Sequence, residues 1–175
     1  PPMLATLADA APRDEENWVY ELKYDGFRAI VALTGGEVAM WSRNELDLAS
    51  RFPQIPAALT KWKVPEMVID GEVAALDETG APRFQLLQGG AHREKLVIFD
   101  ILWLDGRDLR KLTYEQRREL LQRAVRKSPA VVCSVPGSWV GAAIRRSISV
   151  FLRHGSCTVA WPITRRAGAS RVPAG

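Results

Sequence analysis

The stretch Glu21-Leu22-Lys23-Tyr24-Asp25-Gly26-Phe27-Arg28 gathers an amine, two carboxylates and a guanidinium within one short segment. A free lysine titrates near pH 10.4, so at pH 7 only about one amine in 2,500 carries a lone pair. A nucleophilic lysine needs a lowered pKa, or an acceptor that takes the attack as the proton leaves. Burial, Arg28 or a bound metal ion would lower the Lys23 pKa, whereas Glu21 and Asp25 would raise it. Attack on a polyphosphate would in addition call for a divalent cation, both to neutralise the leaving group and to help Lys23 shed its proton.

The elements around this stretch read as strands. Trp18 to Lys23 alternates with period two, which sets Glu21 and Lys23 on one strand face. Asp25-Gly26 signals a turn, Phe27 to Leu33 a second strand, Gly35-Gly36 another turn and Glu37 to Ser42 a third strand. Leu46 to Leu59 reads as an irregular helix broken by Pro53 and Pro56. Val68 to Leu76 is a strand that carries Asp70, Glu72 and Ala74 on one face, and Leu96 to Leu104 is the most apolar strand. Thr113-Tyr114-Glu115-Gln116 has the form of a capping box, opening a helix to about Lys127 with Leu120, Leu121, Ala124 and Val125 as its apolar face. Short strands with glycine turns and few helices predict an antiparallel-rich α+β fold. Beyond Ser128 no period is sustained, although Ala142 to Leu152 would suit a short helix or strand.

Composition narrows the classes. The 175 residues suffice for one domain with a core, or one domain and a tail, and the 47% hydrophobic and 25% charged content is ordinary for a globular protein. No apolar run is long enough to span a bilayer, and the opening Pro1-Pro2-Met3-Leu4-Ala5 lacks the features of a signal peptide. Without an initiator Met at position 1, the chain is expected to be a fragment. Cys133 and Cys157 form no framework, which suits a reducing cytosol, and His92 and His154 lack ligand spacing. All 20 acidic residues lie at or before Glu119, whereas nine of the 24 basic residues follow it. This asymmetry suggests a polyanionic partner, DNA or RNA.

The spacing K-x-D-G-x-R at Lys23, Asp25, Gly26 and Arg28 resembles the signature shared by ATP-dependent DNA ligases, RNA ligases and capping enzymes. Its chance occurrence in a chain of this length is on the order of one in a thousand. Further segments resemble the ligase pattern in the same order: Ser42-Arg43-Asn44 with Arg51-Phe52-Pro53, then Asp70-Gly71-Glu72, then Phe99 to Gly106. The opening Pro2-Met3-Leu4-Ala5 and the run Phe84 to Gln88 are most similar to the ligase domain of bacterial non-homologous end-joining ligase D.

The resemblance implies an antiparallel-rich, ATP-grasp-like nucleotidyltransferase (adenylation) domain using ATP with Mg²⁺ or Mn²⁺. It implies that Lys23 forms the AMP adduct, Glu21 lies near the adenine, Arg28 and Glu72 hold the ribose, Glu72 approaches the metal, Arg43 contacts phosphate and Phe99 stacks on the base. Implied partners are nicked or broken double-stranded DNA and the Ku protein, with a monomer acting in DNA repair and recombination in the bacterial cytoplasm near the nucleoid. Plainer uses exist for each residue: a solvated Lys23, a surface Arg43, a Glu72 paired to a nearby cation, a core Phe99. The resemblance also implies E-G-x-x-x-K and K-x-K segments and an OB-fold domain, whereas the residues after His154-Gly155 read Ser156-Cys157-Thr158-Val159-Ala160-Trp161-Pro162. The expected organisation is therefore a truncated catalytic core over 1–127 and a basic, atypical tail over 128–175, out of frame or degenerate from about Gly155. A catalytically defective nucleotide- or DNA-binding remnant, and an RNA ligase or capping-type enzyme, are the alternatives.

Overall fold

The structure, a computed structural model, describes residues 18–22, 24–78, 82–88, 94–134, 139–140 and 158–162. The strands are β1 (Trp18–Leu22), β2 (Phe27–Thr34), β3 (Glu37–Ser42), β4 (Met67–Ala75), β5 (Glu94–Leu104), β6 (Arg107–Asp108), β7 (Val132–Ser134), β8 (Trp139–Val140) and β9 (Thr158–Pro162). The helices are α1 (Gln54–Leu59), α2 (Phe84–Gln88) and α3 (Tyr114–Ala124).

The larger sheet runs β3-β2-β4-β5-β6, with β7 also paired to β5. Its pairs are antiparallel except β5–β7, which is parallel. The β2–β3 hairpin follows from Gly35 and Gly36, whose φ angles of 61° and 82° suit residues without a Cβ. The smaller sheet has the order β8-β1-β9, both neighbours antiparallel to β1. The segment expected to be an atypical tail thus supplies three strands: β7 beside β5, and β8 and β9 on either side of β1. The span Ala142 to Leu152 lies outside the described residues.

One side of the larger sheet is the core. Val31, Leu33, Met40, Met67, Ile69, Leu96, Ile98 and Ile101 are buried there, and Ile55 and Leu59 of α1 and Leu121 of α3 close over them. Alternate strand residues point the same way, so the polar residues between them occupy the other side. The helix expected over Leu46 to Leu59 is confined to α1. Asp47 instead bridges to Trp41, and its carboxylate accepts from the Ala49 and Ser50 amides at 2.9 and 3.1 Å. Such a side-chain turn competes with helix formation. Pro56 is tolerated because it falls in the first turn after the N-cap Pro53, where an amide has no intrahelical partner. So short a helix is held by burial, about 1.5–3 kcal/mol for each of Ile55 and Leu59.

The capping box forms at α3: the Gln116 amide donates to the Thr113 hydroxyl, and the Thr113 amide donates to the Gln116 side chain. After Ala124 the chain tightens into a 3-10 turn over Val125–Lys127. The expected apolar residues meet the core, Leu121 fully buried and Leu120, Ala124 and Val125 packed against it, and Tyr114, Arg117 and Arg118 of α3 are buried as well.

Candidate functional site

The polar side of the larger sheet is assembled by register. Arg28 stands opposite Glu72 and Glu72 opposite Val97, while Ile30 stands opposite Asp70 and Asp70 opposite Asp100. The β4–β5 register then slips. Gly71 faces Ile98 and Asp70 faces Asp100, leaving Phe99 as the extra residue of a β-bulge. A bulge re-aims side chains that strict alternation would send to opposite faces. Here it lets Phe99 meet Arg28 while Asp100, its direct neighbour, also turns towards the charged row.

Arg28 donates from Nε to Asp70 Oδ1 at 2.5 Å and from Nη2 to Asp70 Oδ2 at 2.6 Å. Its guanidinium carbon also lies 4.9 Å from the Phe99 ring centroid. Burial works against the Arg28 cation, but its hydrogen bonds and attraction to Asp70 outweigh this and raise its pKa. Asp70 is 5% exposed. Burial raises the pKa of its carboxyl even though Arg28 pulls it down.

Lys23 lies outside the described residues, but its neighbours are fixed. Tyr24 is buried with Ala74 and Val97, against Phe99 and Cys133. Burial first, then Cys133 and Glu21, push its phenol up to about 12, so it stays neutral. Gly26 explains one fixed position of the motif sterically. A Cβ there would stand 2.1 Å from the Val73 carbonyl oxygen. Gly71 meets the same limit, 2.5 Å from the Val97 carbonyl oxygen. Both glycines let neighbouring strands close behind the charged row.

Arg43 follows the last residue of β3, one step beyond the Ala29–Ser42 pair and so level with Arg28 in register. It is exposed, on a turn tied by the Ser42 hydroxyl, which accepts from the Asn44 and Leu46 amides at 3.2 and 3.1 Å. Arg28, Glu72 and Phe99 thus converge, and Arg43 sits at their edge. Glu21, expected near the adenine, has its carboxylate buried against α3, where the Tyr114 hydroxyl donates to it. Among the described residues no three His, Cys, Asp or Glu side chains gather as a preformed metal centre. Asp70 and Asp100 are both engaged by arginines. Glu72 stands opposite Arg28 in register and adds to the charge that raises the Arg28 pKa; Mg²⁺ commonly takes one or two carboxylates together with substrate phosphates.

Residues 2–138 match the family profile described as the ATP dependent DNA ligase domain. The chain belongs to the ATP-dependent DNA ligase family. Within it the similarity is to the LigD kind. The multifunctional non-homologous end joining protein LigD of Mycolicibacterium smegmatis is 38% identical over 123 residues, 69% of this chain and 16% of that protein. Its namesake in Pseudomonas aeruginosa is 38% identical over 126 residues, 69% of this chain and 15% of the relative. The mycobacterial DNA ligase D solved in complex with ATP and MES superposes with a TM-score of 0.77 at 30% identity, covering 97% of this chain and 56% of that one. The ligase domain of M. tuberculosis LigD superposes with a TM-score of 0.72 at 30% identity, covering 90% and 51%. The chain therefore spans about half of the solved ligase domains and less than a quarter of the curated LigD relatives.

This ligase domain also uses residues that the sequence did not single out. Arg117 forks onto Asp100, with Nε and Nη2 each 2.8 Å from a carboxylate oxygen. Arg118 Nη1 lies 3.6 Å from Glu21 Oε1. The signal was the spacing of Tyr114, Arg117, Arg118 and Leu121 at i, i+3, i+4 and i+7, one helix face. Arginines on that face read as solvated unless their acidic partners are known.

Proposed function

We propose that this domain performs the nucleotidyl-transfer chemistry of a DNA ligase, with Lys23 as nucleophile. Lys23 Nζ attacks the α-phosphorus of ATP, the P–N bond forms as the bond to pyrophosphate breaks, and the amine proton passes to solvent or the leaving phosphate. AMP then moves to a DNA 5′-phosphate, and a 3′-hydroxyl displaces it to seal the strand. The observation that carries this reading is the convergence of Arg28, Glu72 and Phe99 beside the segment that follows Lys23. It is supported by the likeness to a ligase D that was solved with ATP.

In this scheme Phe99 offers an aromatic face to the base, and Arg28 and Glu72 hold the ribose. Arg43, at the exposed edge, contacts phosphate of AMP or of the nick. Glu21 belongs to the adenine end of the site, with its carboxylate turned to α3. Glu72 together with the nucleotide phosphates would hold Mg²⁺ or Mn²⁺, and the bound ion would supply charge neutralisation for the leaving group. The catalytic core is assigned to residues 1–127, and the following basic segment adds strands beside β1 and β5. Nicked or broken duplex DNA is the substrate, Ku the partner at broken ends, and the role is repair and recombination by a monomer in the cytoplasm at the nucleoid.

The test uses ATP labelled at the α-phosphate with Mg²⁺, comparing the chain with Lys23→Ala. An acid-labile label that depends on Lys23 is expected. Equal labelling of both proteins would refute Lys23 as nucleophile. A second reading, a nucleotide- or DNA-binding remnant without turnover, is favoured by the run Ser156 to Pro162, which holds neither acid nor lysine where an E-G-x-x-x-K segment is expected to follow His154-Gly155. It predicts DNA binding with no label. A frame-shifted tail predicts that segment in another reading frame after His154. Nicked DNA and nicked RNA duplexes offered to the adduct separate a DNA ligase from an RNA ligase.

A further inference from the structure

One face of α3 grips both sheets at once. From Tyr114 the hydroxyl donates to Glu21 Oε1, and from Arg118 Nη1 lies 3.6 Å from the same oxygen. From Arg117, between them in sequence, the guanidinium forks onto Asp100 at 2.8 Å for both bonds and donates from Nη1 to the Leu112 carbonyl at 2.8 Å. Glu21 belongs to β1 of the smaller sheet, two residues before Lys23, whereas Asp100 belongs to β5 of the larger sheet, directly after Phe99. Glu21, Tyr114, Arg117 and Arg118 are all at most 9% exposed. Charges so deeply buried cost several kcal/mol each unless their partners are well placed. The two attachments therefore resist displacement of either strand relative to the helix.

We propose that α3 is the positioning element of the adenylylation site: Tyr114 and Arg118 set the strand that leads to Lys23, and Arg117 sets the Phe99–Asp100 bulge. Nucleophile and base platform then keep their separation because one helix holds both. Glu21 is on this view a positioning residue that acts through β1. The proposal rests on Lys23 adenylylation and adds to it a division of labour. The Tyr114 side governs the rate of attack on bound nucleotide. The Arg117 side governs how tightly the base is held. Two strands joined only by loops would not need a buried hydrogen bond at i and buried ionic contacts at i+3 and i+4 of one helix, where leucine would pack at lower desolvation cost.

The experiment is single-turnover labelling of the full chain by α-labelled ATP with Mg²⁺, over a range of ATP concentrations. Rates are expressed per folded molecule, counted by near-ultraviolet circular dichroism. Tyr114→Phe should lower the saturating rate about tenfold and leave the half-saturating ATP concentration within about twofold. Arg117→Met should raise the half-saturating concentration about fivefold and leave the saturating rate within about twofold, and Arg117→Lys should recover part of that loss. If wild-type protein labels on Lys23 but the variants keep both constants within about twofold, the positioning role is refuted while the adenylylation reading stands. Loss of label only in proportion to lost folded protein also refutes it, because the helix is then structural alone. If wild-type protein takes no label, both the adenylylation reading and this proposal fall.

Discussion

Replacing Arg28 by Met keeps the aliphatic stem and removes both donors to Asp70, whose side chain is 7% exposed. Asp70 would then hold a buried charge without its fork. Removing one partner of a fully buried ion pair costs about 3–5 kcal/mol. Arg28 is 24% exposed, so water can partly replace it, and about 2–3 kcal/mol is the reasonable expectation at pH 7.5. For a chain of this length that is a fall in Tm of roughly 5–10 °C. The loss should shrink in acid. Burial already holds the Asp70 pKa above its unfolded value, and losing Arg28 raises it further. The folded state then binds a proton more tightly than the unfolded state. Stability contributed by protonated Asp70 is present below the unfolded pKa and lost as pH rises through the folded one. Urea melts of wild type, Arg28→Met and Arg28→Met/Asp70→Asn across pH 5 to 8 test this. The single variant should lose most at pH 8 and least at pH 5, and the double variant should regain at least half of the loss at pH 8. A destabilisation that is independent of pH and unchanged in the double variant would show that Asp70 was never a buried charge dependent on Arg28.

Gly26→Ala should prevent β2 from closing on β4, since its Cβ would stand 2.1 Å from the Val73 carbonyl oxygen. A loss of about 3 kcal/mol with no Lys23 labelling is expected, and a Tm within about 2 °C of wild type would contradict the steric account. Thr113→Ala should cost about 1 kcal/mol by removing the α3 cap. It should also slow labelling if the helix positions the site; urea melts and single-turnover labelling read the two effects separately.

The residues close in sequence were the legible ones. Period-two alternation and the Gly35-Gly36 turn marked β1, β2 and β3, and Thr113 with Gln116 marked the start of α3. The K-x-D-G-x-R spacing led to Arg28, and the Asp70-Gly71-Glu72 and Phe99 to Gly106 segments to Glu72 and Phe99; register sets Glu72 beside Arg28, and the bulge brings Phe99 to it. Asp70 was placed on the right strand but not given to Arg28, because no local rule joins residues so far apart. The same reason hid Asp100 from Arg117 and Glu21 from Tyr114. The bulge at Phe99 was invisible because it depends on which residue of β4 lies opposite. β7 and β9 were missed because short strands in an arginine- and proline-rich segment carry too little alternation to be separated from loop.

The smaller sheet bears on how the protein comes to be made. β1 belongs to the early part of the chain, yet Glu21 pairs with Val159 and Val19 with both Val140 and Trp161. Pairings so distant in sequence are slow to form, because loop closure precedes any gain from contact. The hairpin β2–β3 needs only its own residues and can fold while synthesis continues. The strand leading to Lys23 must wait for β8 until residues 139–140 have been made, and for β9 until the ribosome has delivered residues 158–162. The smaller sheet is thus completed late in biogenesis, and until then an unpaired strand edge stands open to chaperones or to mispairing with another nascent chain.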